Sequence, residues 1–142
     1  MFLEVIAFSG KAFNHDNVKS VNLMTSAWEI TILENHMPLT SVLKPWVVNI
    51  ECHNWSWELK NEVLAVWGGI IEVNKSTIKI LVDTLYTLDE VNAQEATDAV
   101  AKAEELMEKY KWAQDKADMD KFIQAEDMLM KSIAKLKLSK YK

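Results

Sequence analysis

The chain has 142 residues, of which 49% are hydrophobic and 26% charged, with a net charge of −5 and a single cysteine, Cys52. That profile is globular, long enough for a real core, and without an internal disulfide framework, which fits a reducing compartment. The acidic balance argues against nucleic acid as a main partner. No window reaches the roughly 18 to 20 apolar residues of a membrane span, and MFLEVIAFSGKAF, with Glu4 and no basic n-region, is not a signal peptide.

Up to about residue 86 the sequence reads as strands. WEITIL (28–33), VVNIEC (47–52), VLAVW (63–67), IIEV (70–73) and TIKILVDTL (77–85) are short and rich in Val, Ile and Thr. In the last of these, Ile78, Ile80 and Val82 alternate with Thr77, Lys79 and Leu81, the period of a half-buried strand. NKS between the last two segments is a hairpin-sized connection. Many short strands at close intervals predict an antiparallel sandwich or barrel. Within LTSVLKPWVVNI, a type II turn with Pro45 second would place Trp46 third, where a positive φ is required and glycine is usual.

From about residue 88 the period becomes helical. Ala96, Val100, Ala103, Met107 and Tyr110 form one stripe, with Thr87 and Glu90 at capping-box spacing. After a polar break, Phe122, Ala125, Leu129, Ile133 and Leu136 form a second stripe, with Asp118 as the expected N-cap. The two predict an antiparallel helical hairpin that is marginal alone and needs a surface to lean on, hence a candidate moving part. No acid follows Asp127, so Lys131, Lys135, Lys137, Lys140 and Lys142 give the acidic protein a basic tip. These lysines suit a helix C-terminus whether or not they meet a partner.

The chemistry-bearing residues form no enzyme pattern. His15, His36 and His53 lack metal-ligand spacing, Cys52 lacks the context of a nucleophile, and Gly68–Gly69 is not a phosphate loop. Residues alone give a non-enzymatic adaptor with a β module and a helical arm, binding neither metal nor cofactor.

Taken in order, the β half resembles the epsilon subunit family of the bacterial rotary F-type ATP synthase. WEITILENHMPLTSVLKPW resembles the family's GEIGILPNHAPLVTALKPG, and LAVWGGIIEVNKSTIKILVDT resembles LAVSGGFVEVNNNKVTILADT. The resemblance implies an α+β architecture. Residues 1–87 would be a β-sandwich or flattened barrel of about ten strands that binds the gamma subunit and the c-ring, and residues 88–142 a regulatory two-helix hairpin. It implies a non-catalytic coupling subunit, peripheral on the cytoplasmic face of a bacterial cell membrane and reaching the membrane only through the complex. Glu29 stands at the place of a family acid next to the c-ring, and His36 at that of the motif's histidine. Extended along gamma, the hairpin would inhibit ATP hydrolysis, with Lys131, Lys135 and Lys137 facing an acidic segment of the catalytic alpha and beta subunits. A free-standing adaptor with tryptophan-rich ligand-binding loops and a helical dimerisation arm is the alternative.

Two departures stand out. Some family members bind ATP through a motif resembling I-D-x-x-R-A, whereas this chain reads VNAQEA, with Asn92 for the acid and Glu95 for the arginine, which implies weak or no ATP binding. The family pattern also has glycine at 28 and 46. Trp55 and Trp57 fall at an expected hairpin turn, Trp67 precedes two glycines, and Trp112 falls at the helix–helix loop. Six Trp with three Gly inverts ordinary usage, in which glycine alone is roughly 7%. A gene that encodes glycine as UGA, translated with UGA as tryptophan, would produce this pattern. The expected consequence is strain at 28 and 46 and needless exposed apolar area; genuine tryptophans would instead form an aromatic binding surface.

Overall fold

The computed structural model describes residues 1–141. Eight strands run in chain order as β1 (Phe2–Ala7), β2 (Ala12–His15), β3 (Val18–Met24), β4 (Glu29–Leu33), β5 (His36–Leu43), β6 (Trp46–His53), β7 (Leu59–Lys75) and β8 (Thr77–Tyr86). A short 3₁₀ turn (Leu88–Glu90), α1 (Ala93–Tyr110) and α2 (Lys116–Ser139) follow. The strands form one continuous sheet in the order β2-β1-β8-β7-β6-β3-β4, with β5 added to β7. All ladders are antiparallel except β1–β8, which is parallel.

The sheet folds on itself because β7 serves both layers. Its first half pairs with β6, its second half pairs with β5, and it keeps β8 alongside across the bend. The bend falls at Gly68 (φ +59) and Gly69 (φ +129), where a Cβ on Gly69 would lie 2.0 Å from the Leu81 carbonyl oxygen. Only glycine lets the strand turn while remaining hydrogen-bonded. VLAVW and IIEV are therefore one 17-residue strand, and the sandwich has eight strands where about ten were expected.

Alternation fills the space between the layers. Leu3, Val5, Ile71, Val73, Ile78, Ile80 and Val82 from one layer meet Val21, Leu23, Val48, Ile50 and Leu64 from the other, all nearly inaccessible to solvent. Truncating one of these large aliphatics to alanine costs about 2–5 kcal/mol, so this core carries most of the fold's stability.

The hairpin is fixed to the sandwich by α2, which packs against β6 and β7, while α1 packs on α2. Leu138, fully buried, closes a second cluster with Val47, Val63, Ala65 and Val91 on the outer face of the β6–β7 layer. Two caps differ from expectation. Thr87 and Glu90 do form a capping box, but it closes the 3₁₀ turn, and α1 is capped by Asn92, whose side chain accepts from the amides of Gln94 and Glu95. Asp115, not Asp118, caps α2.

Candidate functional site: one apolar sheet face and one docked basic arm

The unfilled side of the first layer carries a row set by strand register. Ile6 pairs with Leu81, Leu81 with Ile70, and Ile70 with Val42, so four apolar residues from β1, β8, β7 and β5 stand side by side. All four are exposed, from 39% for Leu81 to 56% for Val42. A charged row, Glu4, Lys79 and Glu72, lies beside them in the same register. An apolar strip with a polar border on the outside of a sheet has the make-up of a protein contact surface.

The opposite outer face is covered by the arm, and there the three predicted basic-tip residues come together. Lys131 lies over the Trp67 ring at 5.1 Å, Lys135 over Trp67 at 4.7 Å and over Tyr86 at 4.3 Å, and Lys137 over Trp46 at 3.6 Å. Their stems cross apolar surface while each ammonium meets the negative face of a ring. Sequence reading gave the lysines but not these contacts, because the rings belong to β6, β7 and β8.

Glu29 and His36 are not brought together: Glu29 opens β4, and His36 opens β5 after the turn at the far end of β4. Exposed Glu29 lines a cavity of about 430 Å³ with Trp46, Asn49, Lys137 and Lys140. His36 Nδ1 lies 2.7 Å from the Met37 carbonyl oxygen, and the residue pairs with Lys75. Cys52 is buried on the inner face; burial, then Glu62, pushes its thiol pKa up, which keeps it a packed and unreactive side chain.

The degenerate ATP motif lines a cavity of about 490 Å³ between the helices and β7. Asn92 and Glu95 lie there with Glu90, Asp127, Lys131 and Lys135. Asn92 is occupied as the α1 cap, and Glu95 sits in the first turn, where a negative charge suits the helix dipole.

The tryptophans divide. Trp46 and Trp28 are not in the left-handed region, so the expected strain at those positions is absent. The physical reason at 46 is that Pro45 enters a bend and Trp46 opens β6 opposite Val66, with no type II turn. Trp57 alone of the six has a positive φ, +60°. It sits in a loop tied by Asn54 Oδ1, which accepts from the amides of Ser56 and Glu58 at 2.9 Å each. Trp28, Trp55, Trp57 and Trp112 carry the exposed apolar area that was expected. The indole Nε1 of Trp67 is buried with no hydrogen-bond partner among the described residues.

Comparison with known proteins agrees with this geometry. The β-sandwich domain of the ATP synthase delta/epsilon chain matches residues 1–87. The ATP synthase epsilon chain of Staphylococcus aureus (strain JH9) is 33% identical over 106 residues, 75% of each chain. A chain in the Euglena gracilis mitochondrial ATP synthase OSCP/F1/c-ring structure superposes with a TM-score of 0.71 at 19% identity, covering 93% of this chain and 76% of that one. A chain of the Tetrahymena thermophila mitochondrial ATP synthase central stalk and c-ring gives 0.63 at 17% identity, covering 98% and 96%. At those identities the two structures speak for the fold, while the sandwich match and the bacterial relative speak for kinship: the chain belongs to the ATP synthase delta/epsilon chain family.

Proposed function

We propose that the chain is a non-catalytic subunit of the central stalk of a rotary ATP synthase. Residues 1–87 bind gamma and reach the c-ring, coupling ion-driven rotation to ATP synthesis. Residues 88–142 are an arm that leaves the sandwich, extends toward the alpha and beta subunits and inhibits ATP hydrolysis. The chain is peripheral on the cytoplasmic face of a bacterial cell membrane and meets the membrane only through the complex. No helix among the described residues is long and apolar enough to cross a membrane. The observation that carries this reading is the separation of two surfaces. The Ile6–Leu81–Ile70–Val42 row is free for a constant partner, while the arm covers only the other face and can depart without disturbing it. Glu29 is assigned to the c-ring side, and His36 to contacts with gamma or the c-ring. Family membership displaces the free-standing adaptor.

The test is a chain ending at residue 87, reconstituted into the enzyme. Retained gamma binding with relief of hydrolysis inhibition is the expected outcome. Unchanged hydrolysis would refute the arm's role, and lost gamma binding would refute the division of labour.

A further inference from the structure

We infer that Tyr86 is the latch that holds the arm down, by engaging a lysine the arm presents elsewhere when released. The inference rests on the arm reading above. Tyr86 ends β8, one step before the hinge that leads into α1. Its ring receives Lys135 of α2 at 4.3 Å and Lys11, from the β1–β2 turn, at 5.3 Å. Two ammoniums at one ring repel each other. Glu90 resolves the conflict by pairing with Lys11. The same carboxylate accepts from the Thr87 amide at 2.9 Å and from the Thr87 hydroxyl at 3.2 Å, so it is pinned to the hinge. With Lys11 neutralised, the ring is left to Lys135.

Trp67, with its centroid 4.8 Å from that of Tyr86, extends the platform, and Trp46 holds Lys137. Lys131, Lys135 and Lys137 are thus masked on aromatic faces while the arm is down. A lysine seated on a ring of the sandwich must leave that ring to reach an acidic partner on another subunit, so docking and inhibition compete for the same side chains. Tyr86 is the member of the latch that does not depend on the tryptophan positions, and it sits at the pivot.

The experiment uses the full chain with cysteines at the exposed positions Ser76 and Glu126 carrying a donor–acceptor dye pair; Cys52, 1% exposed, does not compete for dye. Energy transfer then reports the ratio of docked to undocked arms. Tyr86→Leu keeps apolar area but removes the phenol ring, and Lys135→Gln removes the charge. Each should lower the ratio roughly threefold to tenfold, and the double variant should fall little below either single one. Trp67→Gly, which leaves the Tyr86–Lys135 contact, should cost less. An unchanged ratio in Lys135→Gln, or fully additive effects in the double variant, overturns the latch, and Lys135→Gln retains that power if Tyr86→Leu fails to fold. In the assembled enzyme Tyr86→Leu should deepen inhibition of hydrolysis. A lowered docking ratio with unaltered hydrolysis would support the latch while refuting the inhibitory arm.

Discussion

Val42 of β5 and Ile70 of β7 stand opposite one another in register, and both side chains are exposed. An apolar cross-strand pair is expected on the inner face of a sandwich, and one on the outside is what the proposed gamma contact calls for. Ile70→Lys places a charge in the middle of the row. Gamma affinity, measured by titration calorimetry, should fall about tenfold, as when the centre of an interface is disrupted. The melting temperature should change little, because the residue lies outside the core. Unchanged affinity would move the gamma contact elsewhere.

Glu90 gives the junction a pH signature. The Lys11 ammonium, followed by the Thr87 amide, holds its carboxyl pKa below the usual carboxylate value. A pKa lowered in the folded state means that the stabilisation is present above the ordinary carboxylate range and is lost as pH falls through the lower folded value. Both side chains are about two-fifths exposed, so solvent screening limits the pair to about 1 kcal/mol or less. Thermal melts of the parent and Glu90→Gln should differ slightly at neutral pH and converge in acid, below the ordinary carboxylate range. A gap that widens in acid would contradict the pairing.

Trp57 is the position where the written sequence and the backbone disagree. A bulky side chain at φ +60° costs on the order of 1–2 kcal/mol, and its ring is 74% exposed, so packing returns little. Trp57→Gly should raise stability by about 1 kcal/mol in urea titrations. Trp46→Gly should lower it by about 2 kcal/mol, since that ring packs against the second cluster and carries Lys137. Peptide masses of the protein from its native source decide which residue the cell inserts at all six positions, and glycine at 57 is the expected result.

Local periodicity made much of the fold legible. The alternation of Ile78, Ile80 and Val82 points to one face because side chains on a strand alternate, and all three lie in the core. The unity of β7 was hidden because Gly68–Gly69 looks like punctuation until β8 is seen running alongside both halves. Asp118 has the sequence context of a cap, yet Asp115 starts α2, because which aspartate serves depends on where the loop ends. Leu136 continues the predicted stripe, yet Leu138 is the residue buried on the sandwich, because α2 packs on two surfaces and a single stripe describes only one. The aromatic seats of the lysines are contacts between distant segments, and no spacing rule encodes them.

The nucleotide-like cavity should stay empty of nucleotide. A triphosphate would meet Glu90, Glu95 and Asp127 along its walls, against Lys131 and Lys135. Both cations are already engaged: Lys131 pairs with Asp127 at 2.8 Å and lies over Trp67, while Lys135 lies over Trp67 and Tyr86. Freeing them would break the Lys131–Asp127 pair and undo the docking of the arm, so phosphate binding and the docked state oppose each other. Millimolar ATP should therefore leave the melting temperature unchanged, since a ligand that does not favour the native state adds no stability. Glu95→Arg reverses the charge at the motif position and should let a weak, salt-sensitive ATP-induced rise emerge. Clear stabilisation of the unsubstituted chain by ATP would show that the lysines exchange partners more readily than their seats on the aromatic rings imply.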